Sequence, residues 1–595
     1  MIYSLSDSLS AALNLSSSQR ADILLVAPKT LQALVGALND YYTYKLAQHV
    51  YGKRTYPALC ALLLTAGSAW NWFMSTRTFS NCIETTLTVI ALYNWPYHWA
   101  LGADETTFQV DEKILRIRQP AAITPSGEEA ADEIDETTRL RRALFCAATA
   151  VVLRPTNAVV WLTLVLATFG RGMWHHGIHW EINAFIREGF LCGSIVLTLS
   201  ALVDRVFYGV WTFPIWHFFK FNVLQSLAVF YGNNDWHYYL SQGYPLLLTA
   251  AIIPAVAGLV PALSRRKVPS IVSIQSRLIL HRLALVSLVL PAALSILSHK
   301  EVRFIYPVLP ALHVIAALPL ARMLGFPDIV GKARISSWDK NRVGMMTGVS
   351  FLALTNTAIA VYFSFYHNSG LITLTNYFRN EFDIRYQINS TVRTISTQPQ
   401  VYSNLTFAIL MPCHSIPWRS HIQYPATNTT SGISGWALTC EPPLDLTTAE
   451  KATYKDEADL FYLNPNIWFK QNMVPKYPPL APSPGIHAAD PAAHRYLNRN
   501  RPPVAQTKQS GTWMNEAEGG EETGVFRARK RNWPDYLVFF GQMESTMKRV
   551  IRGSGYVECQ RFWNSFFHDD WRRTGDVVVW CLPQRGNREL LEKRD

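Results

Sequence analysis

Through the first 366 residues long apolar runs alternate with short polar joints; beyond them the alternation stops. A helix that crosses a bilayer needs about 20 predominantly apolar residues. The runs that approach or reach that length are Ile23–Leu38, Tyr56–Met74, Phe79–Ala100, Ala143–Phe169, Phe190–Gly209, Tyr244–Leu263, Leu278–Leu297, Phe304–Leu324 and Gly344–Tyr366. The pattern predicts a mainly α fold with three parts. A Ser-rich segment covers 1–21, a polytopic transmembrane helical bundle covers 22–366, and a C-terminal α/β domain covers 367–595, with a flexible Pro-, Gly- and charge-rich insertion at 484–534. The run Ala143–Phe169 is interrupted by Arg154-Pro155. Proline removes a helical hydrogen bond and biases the residue before it away from the α region. This run is therefore expected to be a hairpin of two half-helices.

Charge sets the orientation, because Lys and Arg collect on the cytoplasmic side of membrane proteins. Arg265-Arg266-Lys267 and the group Lys332, Arg334, Lys340 and Arg342 read as cytoplasmic joints. Ser298–Arg303, Val206–Gln242 and the tail then fall on the opposite side. With the hairpin, loop 101–142 is cytoplasmic, a solvated linker holding ten acids and six bases. Residues 1–21 fall on the far side and lack the basic start and apolar stretch of a signal peptide. The tail carries N-glycosylation triplets at Asn389, Asn404 and Asn428. Such triplets are used in a lumen, so the sequons and the charge rule agree. The expected location is the endoplasmic reticulum membrane, multi-pass, with the far side luminal.

Composition narrows the class. Charged residues are 16% and hydrophobic residues 49% of the 595, whereas soluble domains average about 25% charged. A soluble enzyme is disfavoured. So is a nucleic-acid binder, because the net charge of +12 is more simply read as membrane anchoring. The eight cysteines form no CxxC pair, and neither a metal nor another cofactor is expected. Cys60, Cys82, Cys146 and Cys192 lie in apolar runs and read as packing. Cys413, Cys440, Cys559 and Cys581 lie in the tail, where an oxidising lumen allows disulfides; four thiols permit three pairings.

Four polar stretches interrupt the apolar pattern, and the topology puts all of them at the luminal face. They are Ser75–Thr85, Asp204–Gln225, Phe230–Gly243 and Ser298–Pro307. They mix cations, hydroxyls, amides and aromatics, the types that hold a phosphate and sugars beside a membrane. His299, Lys300, Glu301 and Arg303 are four ionisable groups within five residues between apolar runs, a costly placement without a role; the plainer reading is a salt-bridged turn. Arg154 inside an apolar run costs roughly 2.5–3.5 kcal/mol on insertion scales, so it is expected to face a wet cavity or an anion. Its plainer reading is pairing with a helix carbonyl. Arg77 and Lys220 complete the candidate cations, with helix flank and snorkelling anchor as their alternatives. Asp204, Arg205, Asn222, Gln225, His237, Gln242 and Glu84 are acceptor-binding or structural candidates, and the aromatics of Phe230–Gly243 also fit an interface belt.

At these residues a family resemblance appears. The segment HKEVRFIYPVLP resembles the His-Lys-Glu-x-Arg-Phe signature of the lipid-linked mannosyltransferases of the endoplasmic reticulum (glycosyltransferase family 22, GT-C class). STRTFSNCIETTLTVIALY, RPTNAVVW, DRVFYGVW, FKFNVLQSLAVFYGNNDWHYYLSQGYP, MPCHSIPW and DEADLFYLNP resemble that family's GPI-anchor branch, in its order. The resemblance covers most of 25–470 and implies a GT-C-type bundle. It also implies transfer of a third, α1,2-linked mannose from dolichyl-phosphate mannose to the dimannosyl GPI-anchor precursor glycolipid, with inversion. Membrane lipids would surround both substrates. Another acceptor of the same family, or a catalytically dead member, remains open. Members of the class carry an acidic motif in a first luminal loop, and no such loop stands in this sequence, so the catalytic base is unassigned and low activity is expected. Glu301 is a poor substitute, flanked by Lys300 and Arg303. Asp7, Asp204 and Asp235 lack support, and Asp104-Glu105 falls in the expected cytoplasmic loop.

Overall fold

The computed structural model describes residues 2–100, 136–175, 180–224, 230, 232–264, 273–326, 342–393, 404–424, 432–441, 454–475, 530–568 and 570–582. Of the loop expected at 101–142, residues 101–135 lie outside the described residues and 136–142 open a helix instead; of the insertion expected at 484–534, residues 484–529 lie outside them. The chain divides into two compact units. One is Lys29–Ser364; the other joins Met1–Pro28 to Phe365–Asp595.

Among the described residues six helical stretches are long and apolar enough to cross a membrane: Ser17–Tyr51, Glu181–Tyr208, Tyr239–Leu263, Gln275–Leu294, Val302–Met323 and Met346–Ile384. The helices used below are α1 (Ile2–Ala12), α2 (Ser17–Tyr51), α3 (Tyr56–Ala66), α4 (Ala69–Met74), α5 (Ser80–Asn94), α6 (Glu136–Leu153), α7 (Ala158–His175) and α8 (Trp180–Tyr208). They continue with α9 (Ile252–Leu263), α10 (Ile274–Leu294), α11 (Leu309–Met323), α12 (Arg342–Val361) and α13 (Ser369–Arg393). The run Tyr56–Met74 is two helices. Gly67 closes α3 by donating its N–H to the Leu63 and Thr65 carbonyls, and the Ser68 hydroxyl caps α4 by accepting the Asn71 N–H. At the centre α11 is buried nearly all round, from Leu309 to Leu318. Gly258 on α9 lets that helix approach so closely that a Cβ there would sit 2.3 Å from the Ile315 carbonyl oxygen.

The hairpin is present, but its arms, α6 and α7, are 18-residue helices that reach beyond 143–169 at both ends rather than the half-helices expected. Arg154 is extended (φ −147°, ψ 103°) and Pro155–Asn157 forms a 3-10 turn. At its start α6 lies beside the end of α5, with Glu136 paired to His98 at 2.9 Å; at its end Arg154 reaches Glu84 near the start of α5. The chain then returns: Trp161 stacks on Trp95 at 5.8 Å, and Phe169 meets Trp99 at 6.1 Å. Helix α8 starts at the same end, where Glu188 pairs with Arg141 at 2.6 Å.

In the other unit a five-stranded sheet has the order β2-β1-β3-β5-β4. The strands are β1 (Leu405–Ile409), β2 (Ile433–Ala437), β3 (Tyr536–Phe540), β4 (Val557–Phe562) and β5 (Val577–Cys581). β2, β1 and β3 are parallel; β5 is antiparallel to both β3 and β4. β3 is buried along its whole length because both sheet faces are covered. Leu374 and Phe378 of α13 cover one face, and Phe461, Trp468 and Met547 the other. Of the three possible cysteine pairings the structure holds Cys413–Cys440, across the ends of β1 and β2, and Cys559–Cys581, across β4 and β5. Sequence reasoning places 22–366 together and sets 1–21 apart. In the structure residues 1–28 join the tail, because Ala21 is fully buried in the same core as Phe378 and Asp22 pairs with Arg379. Of the sequons, Asn404 is half-buried with its Oδ1 accepting the Gly432 N–H at 3.1 Å. Asn389 is in α13, and Asn428 lies outside the described residues.

Candidate active site

The turn Ser298–Val308 between α10 and α11 is pinned from two sides. On one side the Asn234 N–H donates to the Ser298 carbonyl at 3.0 Å. Lys300 answers with its N–H to Asn234 Oδ1 at 2.9 Å and its Nζ to the Asn234 carbonyl at 2.8 Å. On the other side Asn81 Nδ2 donates to the Arg303 carbonyl at 3.0 Å. Within the turn Glu301 lies 3.0 Å from His299 Nε2 and 2.5 Å from Arg303 Nε. Burial by itself would raise the Glu301 pKa, but the hydrogen bonds from His299 and Arg303 outweigh it and hold the carboxyl at about 2. A carboxylate held that low is a weak proton acceptor, as the sequence suggests.

Arg154, projecting from the hairpin break, joins this turn to α5. Its Nη1 donates to Asn81 Oδ1 at 3.3 Å, and its Nε lies 3.4 Å from Glu84 Oε2. Asn157 Nδ2 donates to Glu84 Oε1 at 2.9 Å and Thr88 Oγ1 at 3.0 Å, and Trp161 Nε1 donates to Asn157 Oδ1 at 2.7 Å. The Phe304 ring lies 5.1 Å from the Arg154 guanidinium and 5.9 Å from that of Arg303. The cluster thus sets three cations, Arg154, Lys300 and Arg303, against two carboxylates. Lys300 is 4% exposed, and no carboxylate among the described residues pairs with it. A buried ammonium bonded to a carbonyl keeps N–H groups free to meet an anion. Beside it a polar cleft of about 170 Å³ is lined by residues including Asn234, Asp235, His237, Ser241 and Gln242. A larger cleft of 390 Å³, at Asn464, Asn466, Thr546 and Arg549 in the other unit, holds none of these groups.

The structure therefore brings together His299, Lys300, Glu301, Arg303, Arg154 and Glu84, with His237 and Gln242 at the adjoining cleft. Glu84 proves to be Arg154's buried counter-ion. Arg77 is exposed, donates to the Phe73 carbonyl at 2.8 Å and lies over the Phe73 ring. Lys220 is exposed near Phe221; Asn222 donates to the Phe218 carbonyl, Arg205 to that of Gly209, and Asp204 accepts from Ser200. None of these five contacts the cluster among the described residues, and Gln225 lies outside them. Sequence reasoning does not single out Asn81, Asn157 or Asn234. The available signal is an amide beside or within an apolar run, where an unsatisfied polar group is expensive.

The sequence pattern of the Alg9-like mannosyltransferase family matches residues 4–423. The chain belongs to that family. The match includes residues 4–21, which sequence reading leaves without a counterpart, and it bears out the resemblance seen in the motifs. The chain is 42% identical over 600 residues to GPI mannosyltransferase 3 of Aspergillus fumigatus, covering 100% of this chain and 71% of that protein. It is 36% identical to the protein of the same name from Emericella nidulans, again covering 100% and 71%. With that of Gibberella zeae the identity is 34%, covering 94% and 81%. Among solved structures, ArnT from Cupriavidus metallidurans in the apo state aligns with a TM-score of 0.42 at 11% identity, over 93% of this chain and 83% of that one. This member of the Alg9-like family is a multi-span membrane mannosyltransferase.

Proposed function

We propose that this mannosyltransferase transfers a third, α1,2-linked mannose from dolichyl-phosphate mannose to the dimannosyl GPI-anchor precursor, at the luminal face of the endoplasmic reticulum membrane. The observation that carries the chemistry is the cluster of the buried Lys300 with the half-buried Arg303 and Arg154. In the reaction the bond from the anomeric carbon to the donor phosphate oxygen breaks, and the acceptor hydroxyl oxygen bonds to that carbon from the opposite face, inverting it. The hydroxyl proton leaves to a base, and the dolichyl phosphate departs with one added negative charge. Fixed cations stabilise that charge in place of a general acid, so turnover is proposed to need no metal. The names of the relatives support the acceptor. The tail's two disulfides and the sequons support the luminal side.

The test uses microsomes containing the chain, radiolabelled dolichyl-phosphate mannose, and GPI precursors bearing one, two or three mannoses alongside the asparagine-glycan precursors. Label entering the two-mannose lipid alone, removable by an α1,2-mannosidase and undiminished by a chelator, is the expected result. Transfer to any other acceptor would assign the chain to a sister reaction.

A further inference from the structure

The unit Met1–Pro28 with Phe365–Asp595 leaves one group of large aromatics uncovered. Phe365 is 66% and Tyr366 56% exposed, at the end of the last apolar run. In the loop after β4, Trp563 is 41%, Phe566 74% and Phe567 65% exposed. The loop is held against the residues that directly follow Tyr366. His367 Nδ1 is 2.7 Å from the Ser565 hydroxyl, and Asn564 Nδ2 donates to Asn368 Oδ1 at 3.4 Å. Gly370 lies so near that a Cβ there would come within 2.6 Å of the Trp563 carbonyl oxygen. The aromatics are held outward. Asn564 is 1% exposed, the Ser565 hydroxyl bonds both the N–H and the carbonyl of Phe567, and Trp563 meets Phe566 edge-on at 5.0 Å.

We infer that the loop Trp563–Phe567 is a membrane-interface anchor that seats the C-terminal domain on the bilayer beside the exit of the last span. Continuity with the span fixes the occupant. The chain turns at Asn368 (φ 59°), and from there α13 lays Leu371, Leu374 and Phe378 into the core of this unit. Phe365 and Tyr366 thus open this unit at the end of the last apolar run, at the depth where aromatic side chains gather in membrane proteins. The loop that touches this point adds two phenylalanines and a tryptophan at the same level. A contiguous, rigidly presented aromatic patch there matches the headgroup–acyl boundary, into which apolar faces sink by ~5–10 Å.

The test places the photo-crosslinking residue p-benzoylphenylalanine at 566 or 567 of the full chain in microsomes, with a third version at the exposed Arg552. The control lies beyond the far end of β4, whose six residues span ~20 Å. Because Phe566 and Phe567 are largely exposed, the substitutions are expected to leave folding intact, checked by retention of both disulfides. Illumination is expected to give phospholipid adducts at 566 and 567 at least tenfold above those at 552. Gly370→Val, which pushes the loop off the span exit, is expected to lower the yield at 566 several-fold. A discrete protein adduct at 566 and 567, which would make the patch a subunit interface, overturns the inference. So do lipid adducts equal to those at 552, or none at all.

Discussion

The pair Glu84–Arg154 is the sharpest test of the site, because a charge and its counter-ion face each other where the apolar run breaks. Glu84→Gln keeps a side-chain oxygen to accept the Asn157 amide, now 2.9 Å away, and removes only the charge. Two unit charges 3.4 Å apart attract by about 5 kcal/mol at an effective dielectric constant of 20. Removing one partner of a buried pair costs about 3–5 kcal/mol, since the other charge stays desolvated. Arg154 retains 21% exposure, so water recovers part of that loss, and about 2–3 kcal/mol is the expected destabilisation. Arg154→Gln strands Glu84, whose side chain is only 2% exposed, and is expected to cost more. The double variant carries neither charge and is expected to be more stable than the sum of the single losses predicts, by about 2 kcal/mol. Denaturant titration of the detergent-purified chain gives the cycle without relying on turnover. Single and double losses that add within about 0.5 kcal/mol would refute the pairing, and with it the reading of Glu84 as Arg154's counter-ion.

Glu301 titrates far below its ordinary 4.5, at about 2. A depressed carboxylate contributes stability fully above its unfolded value and loses it only as pH falls through the folded one, so the wild-type rate profile between about pH 5 and 8 owes no limb to Glu301. If Glu301→Gln abolishes an acid limb in that window, Glu301 is a working base after all. Cys413→Ser and Cys559→Ser each open a bridge spanning 27 or 22 residues and are expected to cost about 3–4 kcal/mol by loop entropy. Peptide mapping under non-reducing conditions should recover these two pairs; any other pair contradicts the strand arrangement. Tyr306→Phe removes the donor to Asn71 Oδ1, 2.8 Å away, and is expected to cost about 1–3 kcal/mol; an unchanged denaturation midpoint would mean that this hydrogen bond holds nothing. Gly258→Ala forces α9 away from the Ile315 carbonyl and is expected to cost about 1–3 kcal/mol, read in the same titration.

Much of the architecture was legible locally. Hydropathy marks the spans because each helix must be apolar over its own length, and Arg154-Pro155 marks the hairpin because proline acts on its immediate neighbours. The signature His299–Phe304 marked half of the candidate cluster, since ionisable residues between apolar runs need a reason. Other features depended on packing. Asn81 and Arg303 are 222 residues apart, and Asn234 and Lys300 are 66 apart; no local pattern says that their turns meet. The same holds for Glu84, whose partner depends on the hairpin folding back along α5, and for the exclusion of Arg77 and Lys220, whose composition is no different from that of the cations that converge. The cysteine pairing follows strand order, and residues 1–28 join the tail through Ala21 and Asp22. Hydropathy is a property of one segment against its solvent, whereas each of these meetings is a property of two segments against each other, fixed only when the helices and strands pack.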